Sequence, residues 1–314
     1  MKTLIVIPAR LKATRLPNKP LAMVGDAPMI VQVWRRAMES GVGEVVVACD
    51  GEEIAGVIRG VGGVAIITDP DHPSGSDRIW EAVARIQDSG FWIQGRVGEA
   101  ESQSGRVSEA KGGKPPSDNN YDIIINLQGD VPTLEPRLLR ELLVPLANPA
   151  VDIATLAAEI TRTEEHENPS VVKAILSFHS PLAGESKSAP RDSVGGTAAP
   201  IPPPNSKANL APPQGGSGQL VATARALYFT RAIAPANEGP RYHHIGVYAY
   251  RRAALEKFVS LPPSPLELRE KLEQLRALEA GMRIDAVVVD TVPLGVDTPE
   301  DLARAQEILV SGGS

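Results

Sequence analysis

The chain has 314 residues, room for one large α/β domain or two smaller ones, with 42% apolar and 22% charged residues. Lys and Arg number 32 against 38 Asp and Glu, a net charge of −6 that removes bulk attraction to nucleic acid or to anionic membranes. The single cysteine, Cys49, excludes an internal disulfide and a cysteine-rich zinc module.

The chain opens with a short apolar run that ends at Pro8 and is followed by cations, which fits neither a signal peptide nor a membrane span. A soluble cytoplasmic protein with no membrane insertion is expected. Short β-branched runs at 3–7, 44–48, 64–68 and 122–127 alternate with stretches of helical period at 28–40, 51–60 and 76–87. This β-α-β-α-β-α-β order predicts an α/β fold with a doubly wound, Rossmann-like parallel sheet. Ligands of such sheets lie at the carboxyl ends of the strands, here just after Ile7, Ala48, Thr68 and Leu127.

Downstream, 152–159, 171–176, 220–229 and 245–250 read as strands without regular intervening helices and predict a mixed-strand second half. The spacing of Leu268, Leu272, Leu275 and Leu278 predicts one helix over 264–281, followed by a strand at 284–290 and a helix at 299–310. The chain has 28 Gly and 28 Pro, and the excess over an ordinary globular composition falls in 91–120 and 178–219. Both segments lack hydrophobic period and are expected to be flexible surface insertions in a single domain spanning 1–314.

The loop after the first strand carries Arg10, Lys12, Arg15 and Lys19, and the chain has no acidic residue before Asp26. Cations between a strand and a helix, with Pro17 and Pro20 limiting the loop, suit a polyphosphate; a solvated basic loop is the other reading. Neither GxxxxGK[ST] nor GxGxxG follows this strand, which argues against a P-loop NTPase or a dinucleotide dehydrogenase. Asp130 ends the run Asn126-Leu127-Gln128-Gly129-Asp130, where a carboxylate can hold Mg²⁺ on a nucleotide's phosphates or simply form a turn. Thr298, Pro299 and Asp301 supply a capping box, which leaves Asp297 available as a second metal ligand, unless Asp297 is itself the cap. Ser74 to Arg78 opens a helix with backbone N–H groups and an arginine, read either as a nucleotide contact or as an ordinary N-cap. His243 and His244 precede a strand with no third ligand at zinc spacing.

Taken together, PARLKATRLPNKPL, DHPSGSDRI, NLQGDVP, NPSVVK, ALYFTRA, HHIGVYAYR, SPLELREKLEQLR and GVDTPEDL resemble, in order and approximate spacing, the 3-deoxy-manno-octulosonate cytidylyltransferases. The resemblance runs from Met1 to about Leu309 and omits only the two insertions. It implies a nucleotide-diphospho-sugar transferase fold, a homodimer, and synthesis of CMP-KDO and pyrophosphate from CTP and 3-deoxy-manno-octulosonate (KDO) for lipopolysaccharide. It further implies that Ala9, Arg10, Thr14, Arg15, Lys19, Ser76 and Arg78 bind CTP. Asp130 and Asp297 would bind Mg²⁺, and Gln128, Arg231, His244, Tyr248, Glu273 and Gln274 would bind KDO. Arg10, Lys19, Asp130 and Asp297 form the expected catalytic set.

The sequence departs from the family pattern in three places. Val131 stands where a polar residue is usual, Thr230 to Pro235 replaces an SRSPIP-like segment, and His243 replaces a common lysine. A related acid sugar such as an 8-amino analogue, or a catalytically silent nucleotide-binding protein, stays open at this level. A sugar-nucleotide glycosyltransferase would usually show a DxD pair, absent around Asp130.

Overall fold

The computed structural model describes residues 1–12, 16–88, 120–178, 222–236 and 239–311. Strands in chain order are β1 (Thr3–Ala9), β2 (Met23–Val24), β3 (Ala27–Pro28), β4 (Glu44–Cys49), β5 (Val64–Ile67), β6 (Ile123–Asn126), β7 (Ile153–Glu159), β8 (Lys173–Ser177), β9 (Ala222–Thr230), β10 (Tyr242–Arg251) and β11 (Ile284–Val289). Helices are α1 (Met29–Ser40), α2 (Glu52–Gly60), α3 (Gly75–Asp88), α4 (Pro136–Glu141), α5 (Thr163–Glu167), α6 (Arg252–Ser260), α7 (Pro265–Glu270), α8 (Gln274–Glu279) and α9 (Pro299–Ser311). None of the described helices is long and apolar enough to cross a membrane.

One nine-stranded sheet runs β5-β4-β1-β6-β10-β7-β11-β9-β8, while β2 and β3 form a separate hairpin. The strands β5, β4, β1 and β6 are parallel, as the β-α alternation predicts. Side chains alternate across the sheet with period two. Ile5, Ile7, Val45, Val47 and Ile125 face α1, α2 and α4, whereas Leu4, Val6, Val46, Ala48 and Ile124 face α3, α6 and α8. Both faces are therefore dry, which explains the near-continuous apolar strands.

The second half is mixed. β10 runs antiparallel between β6 and β7, β11 is parallel to β7, and β9 is antiparallel to β11 and β8. The start of β8 also pairs with the start of β10, so β10, β7, β11, β9 and β8 close into a ring. The helix α6 was not expected in this half.

The predicted helix over 264–281 is two helices. Ser264 and Glu267 form a capping box that starts α7, and Lys271, at φ 55°, ends it by donating its N–H to the Glu267 carbonyl at 2.7 Å. The break re-aims the second segment: Leu272 and Leu275 are buried, while Leu268 stays 65% exposed. Arg276 clasps Glu267 at 2.8 and 2.6 Å, holding α7 against α8. The expected insertions lie outside the described residues, except for Asn120 and Phe178. Cys49 is fully buried, and burial pushes its thiol up to about 11, so it stays a thiol packed in the core.

Candidate active site

A cleft of about 550 Å³ opens at the carboxyl ends of β1, β5 and β6, within the roughly 300–1,000 Å³ usual for small-molecule sites. Its floor is a close approach of two backbones. A Cβ at Gly129 would sit 2.8 Å from the Pro8 carbonyl oxygen, so the turn after β6 meets β1 only because position 129 is glycine. Ala9, Arg10 and Lys12 line one side, Ser74, Gly75 and Arg78 another, and Gln128 and Asp130 a third. The start of the basic loop is fastened by the Asp50 carboxylate, which accepts the Leu11 N–H at 3.1–3.2 Å.

Lys19 reaches this cleft from a short turn. Asn18 adopts φ 54°, a left-handed conformation that asparagine tolerates, and its carbonyl accepts the Leu21 N–H at 2.8 Å. From there Lys19 Nζ donates to Asp130 Oδ2 at 2.7 Å and to Asp297 Oδ1 at 2.8 Å, across sequence separations of 111 and 278 residues. Burial works to lower the lysine pKa, but the two carboxylates outweigh it and hold the pKa above its ordinary value.

Asp297 is delivered by two backbone ties, Val296 N–H to the Asp130 carbonyl at 2.9 Å and Leu294 N–H to Thr133 Oγ1 at 2.8 Å. The start of α9 is capped by Thr298 and Asp301, whose side chains accept each other's backbone N–H at 3.2 and 3.0 Å. Two carboxylates that converge on one cation, with Lys19 as the stand-in, form a hard oxygen donor set. That set suits Mg²⁺, which typically takes one or two carboxylates plus phosphate oxygens and water. Among the described residues no three His, Cys, Asp or Glu side chains gather as a protein-only metal cage.

The remaining candidates divide. Thr14 and Arg15 lie outside the described residues. Arg78 is buried at the cleft wall, its guanidinium bound to Thr68 Oγ1 and the Pro70 carbonyl. Ser76 is not part of the cleft lining; its hydroxyl donates to Glu273 Oε2 at 3.1 Å. This contact joins the first half of the chain to the second, where His244, Tyr248, Glu273 and Gln274 lie.

His244 is buried between the Phe229 ring at 4.7 Å and the Tyr248 ring at 5.5 Å. The Thr155 hydroxyl directs its one proton to the carbonyls of Val247 (2.9 Å) and Ile245 (3.2 Å), so His244 Nε2, 3.1 Å away, donates to it. Burial lowers the imidazole pKa to about 3, and the ring is a neutral Nε2–H tautomer. Burial also raises the Glu273 carboxyl above its usual range, against hydrogen bonds from Ser74 and Ser76. Glu273 Oε1 and Gln274 Nε2 are buried without a hydrogen-bond partner. An unmet buried polar atom costs about 1–3 kcal/mol, which a ligand group could offset. Gln128 donates to Asn126 Oδ1 at 3.0 Å, and Asn126 pairs with Tyr248 across β6 and β10. Arg231 is set apart, its guanidinium donating to the carbonyls of Glu270 and Pro169.

Sequence reasoning missed His72, which lines the cleft and bonds Glu81 on α3, and Asp50, the anchor of the basic loop. An acidic residue at a strand end facing a loop of cations was the available signal for Asp50.

The sequence profile of the cytidylyltransferase family matches residues 4–94, 96–191 and 200–284. This chain belongs to the cytidylyltransferase family. Among curated relatives, the 3-deoxy-manno-octulosonate cytidylyltransferase of Paramagnetospirillum magneticum is 48% identical, with 98% of this chain and 97% of the relative covered. That of Parvibaculum lavamentivorans is 50% identical over 98% of this chain and 92% of its own length. Among solved structures, a CMP:2-keto-3-deoxy-manno-octonic acid synthetase complexed with CTP superposes with a TM-score of 0.72 at 30% identity, covering 99% of this chain and 100% of that one. The cytidylyltransferase sheet, parallel in its first half and mixed in its second, is the nucleotide-diphospho-sugar transferase fold.

Proposed function

We propose that this cytidylyltransferase joins CTP to KDO, giving CMP-KDO and pyrophosphate for lipopolysaccharide synthesis, with the triphosphate in the Lys19 cleft and the sugar on its β10 side. The observation that carries the site assignment is the convergence of Lys19, Asp130 and Asp297 at the end of a basic loop.

The anomeric hydroxyl of KDO attacks the α-phosphorus and pyrophosphate leaves, so a sugar carboxylate must approach a triphosphate. Arg10, Arg15 and Lys19 offset that repulsion and stabilise charge on the departing phosphates. Asp130 and Asp297 would hold Mg²⁺, which supplies further positive charge at the phosphates when bound. Ala9, Thr14, Ser76 and Arg78 complete the nucleotide side. On the sugar side, neutral His244, Gln274 and Gln128 offer hydrogen bonds, Arg231 offers a positive charge, and Tyr248 and Glu273 close the wall.

A single domain over the whole chain, a homodimer and a cytoplasmic location complete this reading; the homodimer rests on the motif resemblance. Pyrophosphate detection with CTP, KDO and Mg²⁺ tests the reaction. Release that depends on both substrates supports it, and CTP binding without turnover would identify a silent homologue. Turnover with an 8-amino analogue but not with KDO would reassign the sugar.

A further inference from the structure

Lys19 occupies the place where the metal is assigned. Its ammonium lies within 2.8 Å of both carboxylates, and its side chain is only 15% exposed. A divalent cation cannot share that position with an ammonium, because the two repel each other and compete for the same oxygens. The backbone under Lys19 is fixed between Pro17 and Pro20 by the Asn18 turn, whereas the side chain is a flexible four-carbon stem. Motion is therefore available to the ammonium and not to its Cα. The cleft beside it is bordered by Arg10 and Lys12, which favour a polyanion. A triphosphate entering there presents several anionic oxygens to the same ammonium that neutralises Asp130 and Asp297.

We propose that Lys19 is a resident counter-ion that keeps the carboxylate pair closed to the metal until a triphosphate draws its ammonium away, which makes metal binding conditional on nucleotide binding. This rests on the reading of Asp130 and Asp297 as metal ligands. Because such coupling is reciprocal, the metal in turn tightens the triphosphate.

The test is a Mn²⁺ titration of the full chain, read by the paramagnetic resonance of the free ion, with no nucleotide present. Lys19→Met and Lys19→Gln, each checked by circular dichroism, should bind Mn²⁺ at least about tenfold more tightly than the wild type, since a charge-assisted contact to each carboxylate no longer has to be broken. Adding Asp297→Asn to either variant should remove the gain. CTP should tighten Mn²⁺ binding more in the wild type than in the Lys19 variants.

Lys19 variants that bind Mn²⁺ no better than wild type would overturn the proposal. The reading of the metal site would still stand if CTP-dependent Mn²⁺ binding persisted and were lost in Asp130→Asn. A gain that survives Asp297→Asn would equally overturn it. Conversely, a wild type that releases no pyrophosphate but shows the Lys19-dependent Mn²⁺ affinity would support the counter-ion and remove the proposed reaction.

Discussion

Lys19 stands between two carboxylates at the rim of an open cleft, whereas His244 is sealed as a neutral ring among Phe229, Thr155 and Tyr248. The first region handles charge with charge, and its parts come from loops at strand ends. The second handles polarity with burial, and its parts come from β7, β9 and β10 and the start of α8. The contrast matches the two substrates proposed: a triphosphate needs cations whose positions can adjust, while a sugar ring needs fixed hydrogen-bonding atoms. Glu273 and Ser76 form the seam between them.

The largest separation between the regions is expected from the two carboxylates proposed to hold the metal. Asp130→Asn and Asp297→Asn should each lower pyrophosphate release by at least about two orders of magnitude, the scale seen when electrostatic stabilisation of a leaving group is lost. Thermal melts should change little, because neither side chain is part of the core. Lys19→Ala should weaken CTP by roughly ten- to a hundredfold in calorimetry and CMP far less, since CMP lacks the outer phosphates. Equal losses for both nucleotides would blur the division, because Lys19 would then be acting on the nucleoside or on the fold.

The cleft floor should prove rigid. Gly129→Ala forces a Cβ toward the Pro8 carbonyl and should cost about 1–3 kcal/mol of stability in a denaturant titration, as overpacking does. On the other side, His244→Ala and Gln274→Ala should raise the KM for KDO by about three- to tenfold and leave CTP affinity without sugar unchanged. Collapse of CTP binding in either variant would break the comparison.

A contrast of another kind is in pH. The unfolded chain takes up a proton at His244 as pH falls through about 6.5, but the folded chain does so only near about 3. The stability tied to this neutral ring is therefore complete above that range and lost as pH falls from about 6.5 toward 3, by roughly 1.4 kcal/mol per unit at most. Subtracting the pH profile of His244→Asn from that of wild type should isolate this slope. A flat difference would mean that the ring is not held neutral.

How much was legible follows the same division. The parallel half could be read because its strands are buried on both faces and separated by regular amphipathic helices, so residues 4–7, 45–48 and 123–125 stand out as continuous apolar runs. The cation loop, Asp130 and Asp297 stood out as charged or turn-forming residues at strand and helix ends. What could not be read was their meeting, since Lys19 touches a residue 278 positions away through ties made by backbone groups at Val296 and Leu294. The break at Lys271 was equally hidden, because the leucine spacing continues through it while the buried face changes. His72 and Asp50 were missed because their work, bonding Glu81 and the Leu11 N–H, depends on which elements become neighbours.

A crystal structure of the chain with CTP and Mg²⁺ in the absence of KDO tests the account most directly. The account predicts the triphosphate in the cleft against Arg10 and Lys19, the metal held by Asp130 and Asp297, and no part of the nucleotide against His244 or Gln274. A triphosphate bound outside this cleft, or a metal with neither carboxylate among its ligands, would contradict it.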